Sequence, residues 1–402
     1  MKVALIGSSR GAALYTMATL RTAMHAFGIE EAGIVEADAL WVSMCDVSEA
    51  PVLKRARRQA GRRPLIMGGF EGWMWRPWLA WADAVVVGEG WEFMEAWGRD
   101  PDEAMALPCV ATTGGRSPVP SSLVRWDLAP LVCAPGHRRY LYLAARGCHR
   151  RCAFCLSGHC QRHQVNDEAR LVEVARAVRA RKSRLTWVTN DSRGLPPAPV
   201  DVHSVTAADY MDDPKAYKAG LVRIGIEGWT EACRAKLGKP LTDARLREVV
   251  QALKQWKQPA QLYLMADYPG WSYDMLPALM DAIGQDTGSI PPLFLKVTYF
   301  DPCPGTPMGD AAITGQWCDT MDMFARLGTH NHRVRLWGTR SRARSAWRAM
   351  MHRCTPEQAI DAPAEPKDTN TAESFDTWRA GLSDSMSHNL DGATSEWAKM
   401  RD

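Results

Sequence analysis

Three cysteines in one short loop constrain this chain more than any other feature of its sequence. Cys148, Cys152 and Cys155 stand in the pattern C-x3-C-x2-C. Thiolates are soft ligands that suit zinc and iron–sulfur clusters. A structural zinc site normally takes four protein ligands, and its motifs usually contain two C-x2-C pairs, whereas this loop offers three thiolates. On a cubane [4Fe–4S] cluster, three cysteines leave one iron open to another ligand.

The spacing of these cysteines, with Phe154 just before the third, resembles the radical S-adenosylmethionine (radical SAM) superfamily. The resemblance implies that the three thiolates hold a [4Fe–4S] cluster, and that its open iron chelates the amino and carboxylate groups of S-adenosylmethionine. It also implies cleavage of the sulfonium to a 5′-deoxyadenosyl radical, a position of Phe154 near the adenine, and a reductant such as flavodoxin or ferredoxin as a partner.

Residues that follow the loop keep another interpretation open. Cys160, His159 or His163 could join the three cysteines in a zinc knuckle, and the chain would then be a non-catalytic nucleic-acid-binding protein. The chain has eleven cysteines, an odd number, which favours a reducing cytoplasm over a disulfide framework. The sequence shows no apolar run long enough to span a bilayer and no recognisable signal peptide, so we expect a cytoplasmic protein without membrane contact.

The order of predicted elements indicates an α/β protein in several parts. Residues 1–100 alternate strands and helices, as in a doubly wound, Rossmann-like parallel sheet. Residues 101–136 are rich in Pro, Gly and Ser and predict a linker. Residues 137–310 form a second α/β domain, residues 311–354 a small C-terminal extension that recognises substrate, and residues 355–402 a flexible acidic tail.

Glycines end two predicted strands of the first domain, at the edge where doubly wound sheets bind ligands. They are Gly68 and Gly69 after one strand, and Gly88 and Gly90 around Glu89 after another. Placed ahead of the cysteine loop, they resemble the N-terminal domain of cobalamin-binding radical SAM proteins, which implies a cobalamin site at these residues. The chain has no D-x-H-x-x-G segment, and a degenerate domain that binds no cofactor is an equal alternative.

Two further patterns in the first domain are weaker. The run around Cys45 resembles the N-terminal domain of methylthiotransferases, which carries three cysteines for a second cluster, but Cys45 alone falls in place here. A second cluster is therefore not expected. The turn at residues 7–11 is not a full G-x-G-x-x-G, so it indicates dinucleotide binding only weakly.

From residue 139 to about residue 308 the chain matches the radical SAM barrel, and the resemblance implies a partial (β/α)6 TIM-type barrel. Barrel enzymes place their chemistry at the carboxyl ends of the strands. Thr189, Asn190 and Asp191 end the second predicted strand, where the family contacts the methionine amino group. Asn190 and Asp191 are also ordinary turn formers, so a structural role stays open.

Arg223 and Glu227 have the same parity on the fourth predicted strand and therefore share a face. They are candidates for binding the carboxylate and the ribose hydroxyls of S-adenosylmethionine, and a structural ion pair is the alternative. The next segment, residues 236–242, resembles the stretch after strand four in methylthiotransferases and cobalamin-dependent members.

Three residues are candidates for the substrate side of the barrel. Asp267 and Tyr268 follow the fifth strand, where the family often has a Gly-Pro-Gly turn, and are expected at the substrate-facing rim. Cys303 lies in a segment that resembles the P-x-P-G-T-P loop of the same subgroup. Its thiol could donate a hydrogen atom or act as an extra ligand, or it could be an ordinary buried cysteine.

The net charge of +4 conceals an uneven distribution along the chain. From Thr355 onward there are ten acidic and four basic side chains, so residues 1–354 carry about +10. Basic patches attract polyanions, and residues 333–348 add six arginines with Trp337 and Trp347, which suit phosphate contact and base stacking. The sequence therefore favours a nucleic-acid base or nucleotide as substrate, in tRNA or modified phage-type DNA. A cobalamin-dependent methylase or rearrangement enzyme acting on a peptide or small molecule is the rival.

Overall fold

The computed structural model describes residues 1–7, 12–134, 138–192, 194–196, 202–217, 220–283, 293–311, 335–337, 342–363, 366, 378 and 382–383. The chain forms two compact units, each built from separate stretches of sequence. Unit 1 comprises Met1–Ala144, Cys160–Arg162 and Met351–Pro363. Unit 2 comprises Ala145–His159, His163–Met350 and Ala364–Asp402.

The main sheet of unit 1 contains six strands: β1 (Lys2–Gly7), β2 (Glu30–Glu31), β3 (Ala39–Ser43), β4 (Leu65–Gly68), β5 (Ala84–Val86) and β6 (Val110–Thr112). Their order is β2-β1-β3-β4-β5-β6. All neighbours are parallel except β5 and β6. Every residue of β3 is buried, as expected for a central strand covered on both faces. The predicted doubly wound sheet is confirmed, and the order of its first five strands is flavodoxin-like.

Aromatic packing between the sheet and a helix forms part of the core of unit 1. The helices are α1 (Ala12–Ala26), α2 (Ala50–Ala60), α3 (Trp91–Arg99) and α4 (Pro101–Met105). Trp41 of β3 lies 5.5 Å from the rings of Phe93 and Trp97 of α3, measured between ring centroids. All three side chains are buried. These contacts fix Trp41 and Trp97 in the core of unit 1.

The segment predicted as a linker, residues 101–136, carries regular structure in its described part. It contains α4, the edge strand β6 and the short strand β7 (Val132–Cys133), which pairs antiparallel with β8 (Arg139–Leu143). The linker prediction was wrong because it rested on the Pro, Gly and Ser content of the segment. Between these residues lies the three-residue strand β6, whose Val110 and Ala111 are buried. The expected domain boundary at residue 137 also falls between two paired strands.

Unit 2 contains the strands β9 (Ala145–Arg146), β10 (Gln164–Val165), β11 (Arg184–Val188), β12 (Val202–Val205), β13 (Leu221–Glu227), β14 (Ala260–Ala266), β15 (Leu293–Tyr299) and β16 (Arg335–Trp337). The last five form one parallel sheet in sequence order. Along β13 buried and half-buried residues alternate, so one face of the strand packs on the core and the other face is half-buried. The antiparallel pair β9–β10 brackets the cysteine loop.

Helices follow the strands of unit 2, as predicted for a β/α barrel. They are α5 (Ser157–Cys160), α6 (Glu168–Ala180), α7 (Ala207–Asp212), α8 (Glu231–Lys236), α9 (Asp243–Gln255), α10 (Leu276–Ile283) and α11 (Arg342–Arg353). Four of them begin after a capping side chain that accepts a hydrogen bond from the backbone N–H three residues later; the caps are Asp167, Thr206, Thr230 and Thr242. These capping residues mark the first turn of each helix.

The chain from Thr355 to Pro363 is ordered and belongs to unit 1, which corrects the prediction of a flexible tail from Thr355. It forms the helix α12 (Pro356–Asp361), and Thr355 and Gln358 form a capping box at its start. Residues 8–11 of the turn noted at residues 7–11 lie outside the described residues. Within the described part of the chain, no helix has the length and apolar character needed to cross a bilayer.

Candidate functional site

The cysteine loop connects β9 to the short helix α5 in unit 2. The backbone N–H of Arg150 points to Cys148 Sγ at 3.4 Å, and the N–H of Cys155 donates to the carbonyl oxygen of Cys152 at 3.1 Å. His159 Nε2 donates to the same Cys152 carbonyl at 3.0 Å. The loop is thus held in a compact turn that presents three thiols.

Two loops that the sequence singled out hold the cysteine loop at Ala153. The N–H of Ala153 donates to the carbonyl of Leu237 at 3.1 Å, and the carbonyl of Ala153 accepts from the N–H of Met308 at 3.0 Å. Leu237 lies in the stretch after β13, and Met308 ends the P-x-P-G-T-P-like loop after β15. The cysteine loop is therefore fixed to the carboxyl edge of the sheet, where barrel enzymes place their chemistry.

The protonation of the thiols follows from their surroundings. Burial raises the pKa of Cys148 to about 11, and burial also raises the pKa of Cys152, although the nearby charge of Lys239 lowers it. The charges of the other two cysteines act on Cys148 as well. The thiols of Cys148 and Cys152 are therefore protonated at neutral pH, and binding of a metal or cluster releases protons from the loop.

The separation of the sulfurs distinguishes the two metal interpretations. Among the described residues, the one group of three His, Cys, Asp or Glu ligand atoms that all lie within 4.8 Å of one another is Cys148, His149 and Asp191. The three cysteine sulfurs do not form such a group, whereas tetrahedral Zn–S bonds of about 2.3 Å would bring them within roughly 4 Å. As placed, the three sulfurs are therefore too far apart to bind one zinc ion together.

Asp191 contacts the first cysteine rather than forming a plain turn. Its side chain is 7% exposed, and one carboxylate oxygen lies 3.7 Å from Cys148 Sγ and in contact with His149 Nδ1. The same oxygen is 4.0 Å from His163 Nε2. Thr189 Oγ1 accepts a hydrogen bond from the N–H of Asp191 at 2.9 Å, which closes a local turn after β11. Asn190, between them, is exposed.

The predicted pair on β13 shares a face, as the strand parity indicated, but the partner of Glu227 is different. Glu227 Oε1 lies 3.0 Å from Lys239 Nζ, in an ion pair whose side chains are 13% and 20% exposed. Lys239 Nζ also lies 6.0 Å from the centroid of the Phe154 ring. The structure therefore brings Glu227 and Phe154 together around Lys239, which the sequence analysis did not identify. Arg223 lies on the same face of β13, four residues before Glu227.

Two acidic residues at neighbouring strand ends adopt left-handed backbone conformations. Glu227 ends β13 with φ of 57°, and Asp267 follows β14 with φ of 64°. Residues other than glycine rarely occupy this region, and such strain is concentrated at functional sites. The carboxyl ends of β13 and β14 are adjacent, because the two strands are paired in parallel. Strain is thus located at the edge of the sheet that carries the cysteine loop.

Tyr268 does not lie at an accessible rim, contrary to expectation. It is 2% exposed within the core of unit 2, and its hydroxyl accepts a hydrogen bond from the N–H of Trp229 at 3.4 Å. Burial raises the pKa of its phenol above the usual value, and Cys233 adds to this. Asp267 is also buried, at 2% exposure.

Cys303 is half-buried in the loop after β15. Its carbonyl oxygen accepts from the N–H of Thr306 at 3.2 Å and from Thr306 Oγ1 at 2.8 Å. These bonds form a turn just before Met308, whose N–H donates to Ala153 in the cysteine loop. The structure thus gives the Cys303 backbone a supporting role, and the role of its thiol stays a prediction.

The glycines proposed for cobalamin contact mostly serve packing within unit 1. Gly69 and Gly88 both have φ of +93°, and a Cβ at either would collide with the backbone of Met44 or Ser121. Glu89 is 9% exposed and accepts from Gln161 Nε2 at 2.6 Å. Gly68 and Gly90 have more room, with no atom closer than 3.9 Å to an added Cβ. Packing thus accounts for Gly69 and Gly88, and the cobalamin site at these five residues stays a prediction.

A buried ion pair at the same edge of unit 1 was not foreseen. His352 Nε2 lies 2.9 Å from Glu71 Oε2, and the two side chains are 5% and 0% exposed. Glu71 follows β4, and its backbone carbonyl accepts from the indole N–H of Trp78 at 3.0 Å. The pair joins residues 281 positions apart in sequence, so no local pattern could reveal it.

Two residues proposed for nucleic-acid contact are not available for it. Trp347 of α11 is 3% exposed, and Arg348 Nε lies 3.2 Å from Asp301 Oδ2 with its side chain 13% exposed. The helical periodicity of residues 342–353 turns these two positions inward, which corrects the sequence prediction for them. Residues 333, 334 and 338–341 of the predicted segment lie outside the described part of the chain.

Comparison with known proteins places this geometry in a recognisable fold. No protein-family model and no curated protein matches the sequence. Among solved structures, the radical S-adenosylmethionine methyltransferase TsrM from Kitasatospora setae, with tryptophan substrate and a SAM analog bound, matches with a TM-score of 0.54 and 14% identity, over 77% of this chain and 75% of that one. TsrM with cobalamin and a [4Fe-4S] cluster bound gives a TM-score of 0.55 and 13% identity, over 77% of each chain.

The cobalamin-dependent S-adenosylmethionine radical enzyme OxsB with aqua-cobalamin bound is similar at a TM-score of 0.55 and 13% identity. The match covers 72% of this chain and 52% of OxsB, so the chain spans about half the length of that enzyme. The predicted α/β architecture is therefore confirmed: the chain has the fold seen in cobalamin-dependent radical SAM enzymes.

Proposed function

We propose that this protein is a radical SAM enzyme whose Cys148, Cys152 and Cys155 hold a [4Fe–4S] cluster. The observation that carries the proposal is the cysteine loop, which presents three separated thiols and is hydrogen-bonded through Ala153 to two loops at the carboxyl edge of the sheet. When bound, the cluster supplies the electron that cleaves S-adenosylmethionine to methionine and a 5′-deoxyadenosyl radical. A flavodoxin- or ferredoxin-type donor in the cytoplasm would replace that electron.

The chain's own residues would bind and orient the cosubstrate. Phe154 lies in the loop with Lys239 Nζ 6.0 Å from its ring centroid, and Arg223 and Glu227 share one face of β13. An acid suits ribose hydroxyls and a guanidinium suits a carboxylate, because both hydrogen bonds are charge-assisted. Thr189 and Asp191 close the turn beside Cys148 and are proposed to lie near the methionine amino group.

The direct test is formation of 5′-deoxyadenosine by anaerobically reconstituted protein after reduction with dithionite and addition of S-adenosylmethionine. We expect 5′-deoxyadenosine in amounts that depend on the reductant. A protein that binds zinc and forms no 5′-deoxyadenosine would support the zinc-stabilised alternative.

A nucleic-acid base or nucleotide is the proposed substrate class, supported by the charge of about +10 on residues 1–354. Addition of tRNA or DNA should then increase the amount formed, whereas a peptide or small-molecule substrate predicts no increase.

Cobalamin-dependent chemistry is the second candidate function. The observation in its favour is the similarity to structures described with cobalamin bound, which extends over both units. Packing explains Gly69 and Gly88 without a corrin, and the test is therefore binding itself. Titration with hydroxocobalamin, followed by removal of free corrinoid on a desalting column, separates the outcomes. The second candidate predicts about one corrinoid per chain, and a colourless protein fraction removes it.

A further inference from the structure

Lys239 lies beside the second cysteine of the loop, although it is far from the cysteines in sequence. Its ammonium Nζ is 3.0 Å from Glu227 Oε1 and donates to the carbonyl of Gly225 at 3.1 Å. The residue before it, Gly238, lies against the backbone of Cys152, because a Cβ added to Gly238 would be 3.3 Å from Cys152 Cα. One cation thus contacts the strand end of β13, and the residue before it lies against a proposed cluster ligand.

The backbone around Lys239 is shaped to bring it there. Gly238 has φ of +73°, and a Cβ at this position would lie 3.2 Å from the carbonyl oxygen of Arg151 and 3.3 Å from Cys152 Cα. Gly225 leaves room for the ion pair, because a Cβ there would collide with both Glu227 Oε1 and Lys239 Nζ. Gly238 therefore lets the segment before Lys239 pack against the cysteine loop, and Gly225 lets the Lys239 ammonium reach Glu227.

The ammonium keeps its charge in this setting. Burial lowers the pKa of Lys239, but the charge and the hydrogen bond of Glu227, 3.0 Å away, raise it, and the pKa lies above its usual value. The lysine is therefore protonated throughout the physiological range. Its partner Glu227 is held in the left-handed conformation at the end of β13, and such a conformation persists only when neighbouring contacts fix it.

We propose that Lys239 is a positioning residue that fixes the Glu227 carboxylate for S-adenosylmethionine and places a permanent positive charge beside Cys152. The second part rests on the proposed function, because it needs the cluster to be bound there. A nearby cation stabilises the more negative, reduced state of an iron–sulfur cluster and thereby raises its reduction potential. Loss of the charge should make the cluster harder to reduce and leave Glu227 free to move.

The variants Lys239→Met, Lys239→Arg and the control Lys236→Met test this proposal. Lys236 precedes Lys239 by three residues and is exposed, so its loss should change nothing. We expect Lys239→Met to keep its iron, to shift the cluster potential to a more negative value, and to weaken S-adenosylmethionine binding by about tenfold or more, because hydrogen bonds to charged groups have large effects. Lys239→Arg should restore both. An unchanged potential and affinity in Lys239→Met would overturn the proposal.

A measurement on the metal-free protein keeps this test separate from the proposed function. The N–H of Gly228 is hydrogen-bonded to the carbonyl of Ile226 at 2.7 Å, around the strained Glu227. We expect faster amide hydrogen exchange at residues 226–228 in metal-free Lys239→Met than in Lys236→Met or the unmodified protein. Equal exchange in all three would reject the positioning role even if the cluster forms. Failure of the unmodified protein to bind iron would reject the proposed function alone.

Discussion

Cys152→Ala abolishes the iron–sulfur cluster and the formation of 5′-deoxyadenosine, if the cysteine loop binds the cluster as proposed. Cys152 is 6% exposed, and its carbonyl takes hydrogen bonds from Cys155 N–H and His159 Nε2, so the backbone of the loop can persist when the thiol is removed. Changes beside metal ligands already cost about 10–100-fold in metal affinity. Loss of a direct ligand should exceed this, and 5′-deoxyadenosine should fall by more than about 100-fold.

Cys160→Ala is the matched control for this experiment. Cys160 ends α5 and is half-buried, and the zinc-knuckle interpretation makes it a possible fourth ligand. The iron content and the absorbance of the reconstituted cluster are measured in both variants beside the unmodified protein. Iron retained in Cys160→Ala and lost in Cys152→Ala supports the three-cysteine assignment. Full iron content in Cys152→Ala would be incompatible with it, and zinc lost in both variants would favour the knuckle.

Gly158→Ala should disable the site almost as strongly, although it removes no ligand. Gly158 lies in α5 immediately after the cysteine loop, and an added Cβ would overlap the carbonyl oxygen of Arg150 and lie 3.0 Å from its carbon. The collision is with backbone, so no side-chain rotation relieves it, and the loop itself must move. A displacement of about 1 Å at a reacting centre can cost about 100-fold in rate. We expect 5′-deoxyadenosine formation to fall by this order.

The control for the glycine variant is Gly33→Ala. Gly33 has no atom within 4 Å of an added Cβ and no positive φ, so alanine should be accommodated without a shift. Circular dichroism and melting temperature establish that both variants fold, and iron content and 5′-deoxyadenosine are then compared. Normal activity in Gly158→Ala would show that the contact between α5 and the cysteine loop does not hold the site in place.

Local chemistry allowed much of the site to be predicted from the sequence. The three cysteines are close together in the chain, so the sequence alone predicts that their thiols lie in one loop. The shared face of Arg223 and Glu227 follows from the period of two along a strand, which the alternating burial of β13 reproduces. The strand and helix order also followed from local patterns, because capping residues and apolar runs mark most element boundaries.

Other features depend on contacts that no local pattern contains. Lys239 reaches Glu227 because Gly238 and Gly225 allow two segments to approach, and that approach exists only in the folded chain. Tyr268 was misplaced because its burial in the core of unit 2 comes from tertiary packing that the sequence after β14 does not show. The ordered helix after Thr355 was missed despite a readable signal, the Thr-Pro-Glu-Gln capping box at its start.

The central claim is that three thiolates leave one iron of the cluster free to bind S-adenosylmethionine. Electron paramagnetic resonance of the reduced, reconstituted protein, recorded with and without S-adenosylmethionine, tests it most directly. The account predicts a [4Fe–4S] signal whose g values change when S-adenosylmethionine is added, because the new ligand alters one iron. A cluster signal that S-adenosylmethionine leaves unchanged, or one zinc ion per chain and no cluster signal, would contradict the account.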